Sequence, residues 1–486
     1  MSSRSAREWI GLLFDGFDAS VQTSLPSDPL GFPDYLASKR SASSASGELE
    51  AVIWGEAQMG KVEVTAAVFE FGYLGGSMGI AVGSAIEAAM KDSLERSVPF
   101  VAVTASGGAR MQEGMAALAQ MPRTIAASTA LAAAGIPRIA VLGNPTTGGV
   151  YASFTSLSDL IIAESGATIG FAGPRVVGSM TGAKLPEASH TADAALEAGL
   201  VDEVADGKDI RKWLTKAVSI LVPSAPLKDR PPPTYPPSRA PAPASAWEAY
   251  WLTRHADRPS PSVYLRNTLD HLVELKGDRA GGDDPAVFCA VARVGDIPVV
   301  IAALDRASPT ASGFRKCRRA IELAGKLRFP MLTIVDTPGA NPLPESEYSG
   351  LASEIAKTFR DLLSVDVPVV CAITGEGGSG GALALACGDL IGIQKNAVFS
   401  VISPEGASSI LHRDPSRAEE ISTTLKPTAH DLVRFGYADD IIGEPEGGAH
   451  VDPKEASARL YWWIREALER AEADPKARSA RYSSDW

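Results

Sequence analysis

No cysteine precedes Cys289 in this 486-residue chain, and the four present (Cys289, Cys317, Cys371, Cys387) form no C-x-x-C pair. That excludes a zinc ribbon and a disulfide framework and fits a reducing compartment. No run of ~18 uninterrupted apolar residues occurs, so no membrane span is expected. Met1–Ile10 carries Arg4, Arg7 and Glu8 with no apolar run behind it long enough for a signal peptide, and a cytoplasmic location is expected. Basic residues are in deficit: 46 Lys+Arg against 58 Asp+Glu give a net charge of −12. A nucleic-acid partner and an anionic membrane surface are disfavoured, because such binding needs Lys/Arg to neutralise phosphates. The six histidines are scattered with no H-E-x-x-H, and each reads as a surface or satisfied side chain, so no metal is expected. There is no G-x-x-x-x-G-K-[ST] phosphate loop and no G-x-S-x-G nucleophile elbow. What is present is ordinary globular composition, 45% apolar and 21% charged.

Nine of the 34 prolines fall between Pro223 and Pro243. Proline lacks a backbone donor and fixes φ, so this stretch cannot enter a helix or sheet interior. It predicts an extended linker, 223–245, between an N-terminal domain, 1–222, and a C-terminal domain, 246–486. In each half short apolar strands alternate with Ala-rich helical runs. Strand patterns cover Val98–Thr104, Ile136–Leu142, Leu160–Ala163 and Ala167–Phe171, then Phe329–Val335 and Val367–Ile373. Helical patterns cover Gly79–Leu94, Thr124–Ala134, Phe314–Leu327 and Tyr348–Leu363. Fully apolar strands between helices predict an α/β fold with strands buried on both faces.

The halves resemble each other. Gly108 and Gly339, Gly148 and Gly380, and Pro174 and Pro404 are landmarks separated by 231, 232 and 230 residues. A near-constant offset predicts an internal duplication. Four of the Gly-rich turns end strands in front of helices, where open α/β sheets bind ligands. A Gly-Gly pair at a helix start can serve as a tight turn or as an oxyanion hole built from backbone N–H groups. Glu113 and Glu376 lie beside such turns, and their spacing fits a general base and a capping residue equally.

At these turns the chain resembles a known family. Gly75-Gly76-Ser77-Met78-Gly79, Ser106-Gly107-Gly108-Ala109-Arg110-Met111-Gln112-Glu113-Gly114, Asn144–Val150 and Ile169-Gly170-Phe171-Ala172-Gly173-Pro174-Arg175 are similar to the carboxyltransferase β subunit of bacterial acetyl-CoA carboxylase. Gly277-Asp278-Arg279, Asp336-Thr337-Pro338-Gly339-Ala340, Gly375–Ala384 and Val401–Gly406 are similar to its α subunit. The resemblance covers about residues 50–205 and 260–445 and implies a β–α fusion of two crotonase-like ββα-superhelix domains in tandem. It implies carboxyl transfer from carboxybiotin to the α-carbon of acetyl-CoA or another short acyl-CoA, with biotin carried on a partner protein and no metal.

Two oxygens gain charge in that reaction, the thioester carbonyl and the ureido oxygen of biotin. The resemblance assigns Gly148 and Gly149 to the first and Gly380 and Gly381 to the second. It places Gly107, Gly108, Ala109, Gly173, Gly339 and Ala340 at the substrates, while Arg110 and Arg175, each next to a Gly turn, are candidates for the CoA anion alongside a basic helix. CoA is a polyanion, and Phe314-Arg315-Lys316-Cys317-Arg318-Arg319 offers a basic helix for it, Arg315 and Arg318 foremost, with a solvated helix surface as the plain alternative; Arg110 is offered either to substrate or to Glu113. No A-M-K-M biotinylation motif and no ATP-grasp signature appears, so a separate biotin carboxylase and biotin carboxyl carrier protein are expected, with at least a homodimer. The chain departs from the family in lacking the four-Cys ribbon, in Leu304–Pro309, and in Asn341–Ser346, where no glycine occurs until Gly350. A crotonase-type hydratase, isomerase or decarboxylase and a non-catalytic assembly subunit are the competing readings.

Overall fold

In the computed structural model two eight-stranded sheets repeat one another strand for strand. Residues 3–20, 28–173, 177–179, 182, 185–186, 188–223, 231–239 and 241–482 are described. The first sheet comprises β1 (Gly16–Ala19), β2 (Val52–Met59), β3 (Val62–Phe69), β4 (Phe100–Ser106), β5 (Arg138–Thr147), β6 (Leu160–Glu164), β7 (Ile169–Gly170) and β8 (Glu203–Ala205). The second comprises β9 (Leu272–Leu275), β10 (Val287–Val294), β11 (Ile297–Asp305), β12 (Met331–Thr337), β13 (Val369–Gly378), β14 (Leu390–Gln394), β15 (Val398–Ser400) and β16 (Asp440–Ile442). The orders are β1-β2-β3-β4-β5-β6-β8 with β7 beside β5, and β9-β10-β11-β12-β13-β14-β16 with β15 beside β13. In each sheet the first three strands are antiparallel and the pairings from the third onward are parallel. The tandem α/β duplication expected from the sequence is present.

The local causes are the same in both halves. A two-residue turn, Gly60-Lys61 or Gly295-Asp296, joins β2 to β3 and β10 to β11, with φ +60° at both glycines. Hairpin turns of this kind need a left-handed first residue, which glycine adopts without steric cost. β4 and β12 are buried along their whole length, as expected of central parallel strands. β5 and β13 extend past the apolar runs that announced them, carrying Asn144–Thr147 and Thr374–Gly378 to the site. The strand expected over Ala167–Phe171 shrinks to Ile169–Gly170. The helix expected over Tyr348–Leu363 is two, Pro344–Tyr348 and Leu351–Ser364, parted at Gly350, whose φ is +87°.

Two compact units divide the chain, Met1–Pro226 with Arg279–Gly281, and Leu227–Asp278 with Gly282–Trp486. In the first, the helix Ile80–Arg96 packs Val82, Ile86 and Met90 onto Ala67, Phe69 and Phe100 of the sheet. In the second, Leu460, Tyr461, Ile464 and Leu468 of the helix Pro453–Arg470 cover Val299, Ile301 and Leu332. Residues 231–239, five of them proline, lie along that helix. The Pro232 carbonyl accepts from Trp462 Nε1 at 3.2 Å and the Pro236 carbonyl from Arg459 at 2.9 Å.

Candidate active site

Parallel neighbours end side by side, so the turns that leave them meet. Ser106 stands opposite Thr146 at the ends of β4 and β5, and Thr337 opposite Gly377 at the ends of β12 and β13. After β4 the Gly107 N–H donates to the Gly75 carbonyl at 2.9 Å and the Gly108 N–H to Ser106 Oγ at 3.0 Å. After β12 the Gly339 N–H donates to Thr337 Oγ1 at 3.2 Å. Gly108 and Gly339 have φ of +115° and +130°, a region closed to other residues. The residues that follow, Ala109 and Ala340, have N–H groups with no acceptor among the described residues.

The facing turn begins at Gly148, φ +63°, so close to its neighbour that a Cβ there would lie 2.7 Å from Gly108 Cα. The Gly148 N–H donates to the Phe171 carbonyl at 2.9 Å, which corrects its expected role as a free donor. Gly149 is next, in the first turn of a helix, where an N–H has no intrahelical acceptor. In the second half Gly380 and Gly381 occupy the first turn of the helix Ser379–Leu383. The strands set the equivalence: β4 to β12 (Phe100 to Met331) and β5 to β13 (Arg138 to Val369) are both displaced by 231 residues. Ser379, φ +60°, therefore corresponds to Gly148, Gly380 to Gly149 and Gly381 to Val150. The pairing of Gly148 with Gly380 is off by one. A Cβ at Gly381 would lie 2.6 Å from the Ala340 nitrogen, whereas one at Gly380 meets nothing within 4 Å. Each unit thus brings together two backbone donors from different turns, Ala109 with Gly149 and Ala340 with Gly380. Such a pair can hold one oxygen as it gains charge.

The charged side chains expected at the substrates are committed elsewhere. Arg110 is buried and donates to Glu50 at 2.6 and 3.1 Å, to the Ser77 carbonyl at 2.8 Å and to Tyr35 at 3.3 Å, with Glu113 at 3.6 Å. It is therefore a strut, not a phosphate contact. Arg315 pairs with Asp278 at 2.7 Å, and Arg318 with Asp361 and Glu354 at 2.7 and 2.8 Å. Lys316 is buried against Asp283 at 2.6 Å, and Arg319 donates to the Lys276 carbonyl at 2.8 Å. On the helix Ala311–Leu327, Arg315, Lys316 and Arg318 are thus paired with carboxylates and Arg319 is held by backbone carbonyls. Gly173 has nothing within 4 Å of its Cβ position; Pro174 and Arg175 lie outside the described residues. Both glutamates are anchors. Glu113 is fully buried, accepts from Tyr35 at 2.5 Å, and caps the helix Ile80–Arg96 by accepting from the Ile80 N–H at 2.6 Å. Glu376 holds Arg254 in a two-point pair at 2.7 and 2.8 Å.

Residues 242–483 match the family of acetyl co-enzyme A carboxylase carboxyltransferase-like proteins. The acetyl-coenzyme A carboxylase carboxyl transferase subunits beta/alpha of Salinispora arenicola are 41% identical over 472 residues, covering 90% of this chain and 82% of that protein. Those of Clostridium tetani are 35% identical over 460 residues, covering 92% and 80%. The chain belongs to this β/α carboxyltransferase family. A probable biotin-dependent acyl-coenzyme A carboxylase beta3 subunit of Mycobacterium bovis is 33% identical over 455 residues, covering 91% and 90%. The family fold is shared by the transcarboxylase 12S core solved as a hexamer with methylmalonyl-coenzyme A, at TM-score 0.76 and 22% identity over 96% of this chain and 89% of that one.

In this member of the family a cavity of about 600 Å³ opens beside Gly380. Its walls are mainly apolar, with Phe399, Val401, Leu432 and Phe435, and among the described residues Lys426 is its one charged lining residue. Apart from Val401, which opens the stretch Val401–Gly406, sequence reasoning missed these residues, since nothing local marks them. It quoted Asp336, next to the end of β12, only as part of a motif and gave it no role. Burial pushes that carboxyl up to about 6, despite Arg258 nearby and a hydrogen bond from the Glu376 N–H at 3.0 Å. A carboxyl raised in the fold stabilises fully below its ordinary value near 3.8, and that contribution is lost as pH rises through 6. Asp336→Asn, which does not titrate, should therefore be the more stable by up to ~3 kcal/mol at pH 8. The gap should narrow as pH falls from 6 to 4.5. Urea midpoints of both proteins at the three pH values measure it, and a gap independent of pH would refute the assignment. Among the described residues no cluster of His, Cys, Asp or Glu could hold a metal, and no helix is long and apolar enough to cross a membrane.

Proposed function

We propose that the chain transfers a carboxyl group from carboxybiotin, borne by a separate biotin carboxyl carrier protein charged by a biotin carboxylase, to the α-carbon of acetyl-CoA, giving malonyl-CoA. The observation that carries this reading is the pair of backbone donors in each unit, Ala109 with Gly149 and Ala340 with Gly380, with both neighbouring glutamates already anchored. Acetyl is preferred among acyl groups because relatives bearing that name match over most of their length. Carboxybiotin supplies the carboxyl group and, once that is released, the base for the thioester α-proton. The chain's own part is then binding and charge stabilisation. The first domain, 1–222, would hold the thioester carbonyl at Ala109 and Gly149. The second, 246–486, would hold the ureido oxygen at Ala340 and Gly380, joined to the first through the proline-rich stretch 223–245. The apolar cavity beside Gly380 fits a ring system that is uncharged apart from that oxygen. Exposed apolar side chains stand in both units, Met111, Met115 and Phe171 in one, Val401, Ile410 and Leu411 in the other. Patches of this kind mark interaction surfaces, and a second copy of the chain is their proposed cover.

The test is decarboxylation of malonyl-CoA by the purified full chain with and without free biotin. Turnover that requires biotin is expected. Biotin-independent turnover would instead favour a crotonase-type decarboxylase, and no turnover from a folded protein would favour an assembly subunit. Light scattering at micromolar concentration should give at least a dimer. A fully active monomer would remove the proposed cover.

A further inference from the structure

The duplication supplies an internal control for one residue. Gly148 and Ser379 occupy the same place, directly after β5 and after β13, with φ of +63° and +60°. At Gly148 glycine is obligatory twice over: the backbone is left-handed, and a Cβ would lie 2.7 Å from Gly108 Cα and 3.2 Å from the Gly107 carbonyl oxygen. At 379 the left-handed backbone persists but a side chain has been accommodated. Serine there is conformationally costly, and glycine would relieve the cost at no steric penalty. A strained non-glycine residue kept at a functional turn points to a use for its side chain.

Ser379 is exposed and lines the apolar cavity beside Gly380. Its hydroxyl has no hydrogen-bond partner among the described residues. No residue of the 369–378 strand or of the Ser379–Leu383 helix therefore explains it, and among the hydroxyl-bearing residues of a mainly apolar wall, Ser379, Ser400, Tyr437 and Tyr482, it is the one directly beside Gly380 in the chain. We propose that Ser379 is a specificity-determining residue of the second turn, whose hydroxyl donates a hydrogen bond to the ligand oxygen held by the Gly380 N–H. The second turn then has a side-chain donor that the first, closed to any side chain at Gly148, lacks. That difference lets the two units of one duplicated fold take different ligands, a thioester carbonyl at one and a cyclic urea at the other. The inference rests on the carboxyltransferase reading above.

The experiment uses the full chain in biotin-dependent malonyl-CoA decarboxylation, varying each substrate in turn. Ser379→Ala keeps Cβ and removes the hydroxyl, and it should raise KM for biotin about tenfold while leaving KM for malonyl-CoA unchanged. Ser379→Gly should show the same biotin defect together with a higher melting temperature, because it relaxes the left-handed backbone. A merely structural serine predicts the opposite for Ser379→Gly: higher melting temperature with both KM values intact. That result overturns the proposal, as does an equal rise in both KM values. Should Ser379→Ala fold poorly, Ser379→Gly alone decides. Absence of biotin-dependent turnover in the unmutated chain overturns the carboxyltransferase reading and this inference with it, and is separated from failure of the inference alone by that control.

Discussion

Gly380→Val should lose ~10²–10³ in biotin-dependent turnover, the cost of one oxyanion donor, with its melting temperature close to that of the parent. The Cβ position at Gly380 has nothing within 4 Å, so the added side chain enters the cavity without disturbing the fold. Gly149→Val should lose a similar factor through the acyl-CoA side. There the new Cβ meets the flexible end of Met121, whose Sδ would be 3.1 Å away, so the neighbour can give and most of the core stays intact. Gly381→Val is expected to differ from both. Its Cβ would press on the Ala340 backbone at 2.6 Å, so melting temperature and rate should fall together. The measurement is initial rate against biotin and against malonyl-CoA for the three variants, with thermal melts beside each. Near-parental rates in both Gly149→Val and Gly380→Val would remove the backbone-donor mechanism and leave a side-chain acid or base to be found.

The second large effect lies in stability. Arg110→Ala should destabilise the first unit by about 3–5 kcal/mol, as breaking a buried ion pair from one side does. Arg110 is 1% exposed, and its removal leaves Glu50, itself 2% exposed, with no cation nearer than Lys39 Nζ at 3.8 Å. It also releases the Ser77 carbonyl, beside the Met78–Ala109 bridge that holds the first turn. Glu50→Ala combined with Arg110→Ala should cost less than the sum of the two single changes, because neither charge is then left alone. Urea denaturation of the three variants measures the coupling. An Arg110→Ala protein of unchanged stability with a raised KM for acyl-CoA would instead return Arg110 to the substrate.

Much of this was legible in the chain itself. Strands buried on both faces, such as Phe100–Ser106 and Met331–Thr337, must be apolar along their length, and a run of that kind between helices can be read locally. The hairpins at the start of each half were missed because β10, buried at every residue, shows no alternation, and their marks are single glycines, Gly60 and Gly295. The turns of the site were legible because Gly108 and Gly148 hold backbones so near each other that no Cβ fits. The true register of the repeat was present as a discrepancy: the second landmark was offset by 232 residues where the first was offset by 231. Taking the strands as the ruler turns that single extra residue into the equivalence of Gly148 with Ser379.

Sequence alone therefore determined the α/β class, the duplication and the glycine-built turns, because backbone conformation and burial leave marks within a few residues of their cause. Tertiary structure decided what each charge does. Arg110 finds Glu50 across 60 residues and Tyr35 across 75, and Arg315 finds Asp278 across 37. Arg318 finds Glu354 across 36 and Asp361 across 43. An ion pair depends on which side chains the fold brings within about 3 Å, and no local pattern encodes that distance. The same holds for the cavity beside Gly380, whose walls come from four separate stretches of chain between Ile373 and Tyr482 that meet only once the second sheet has formed.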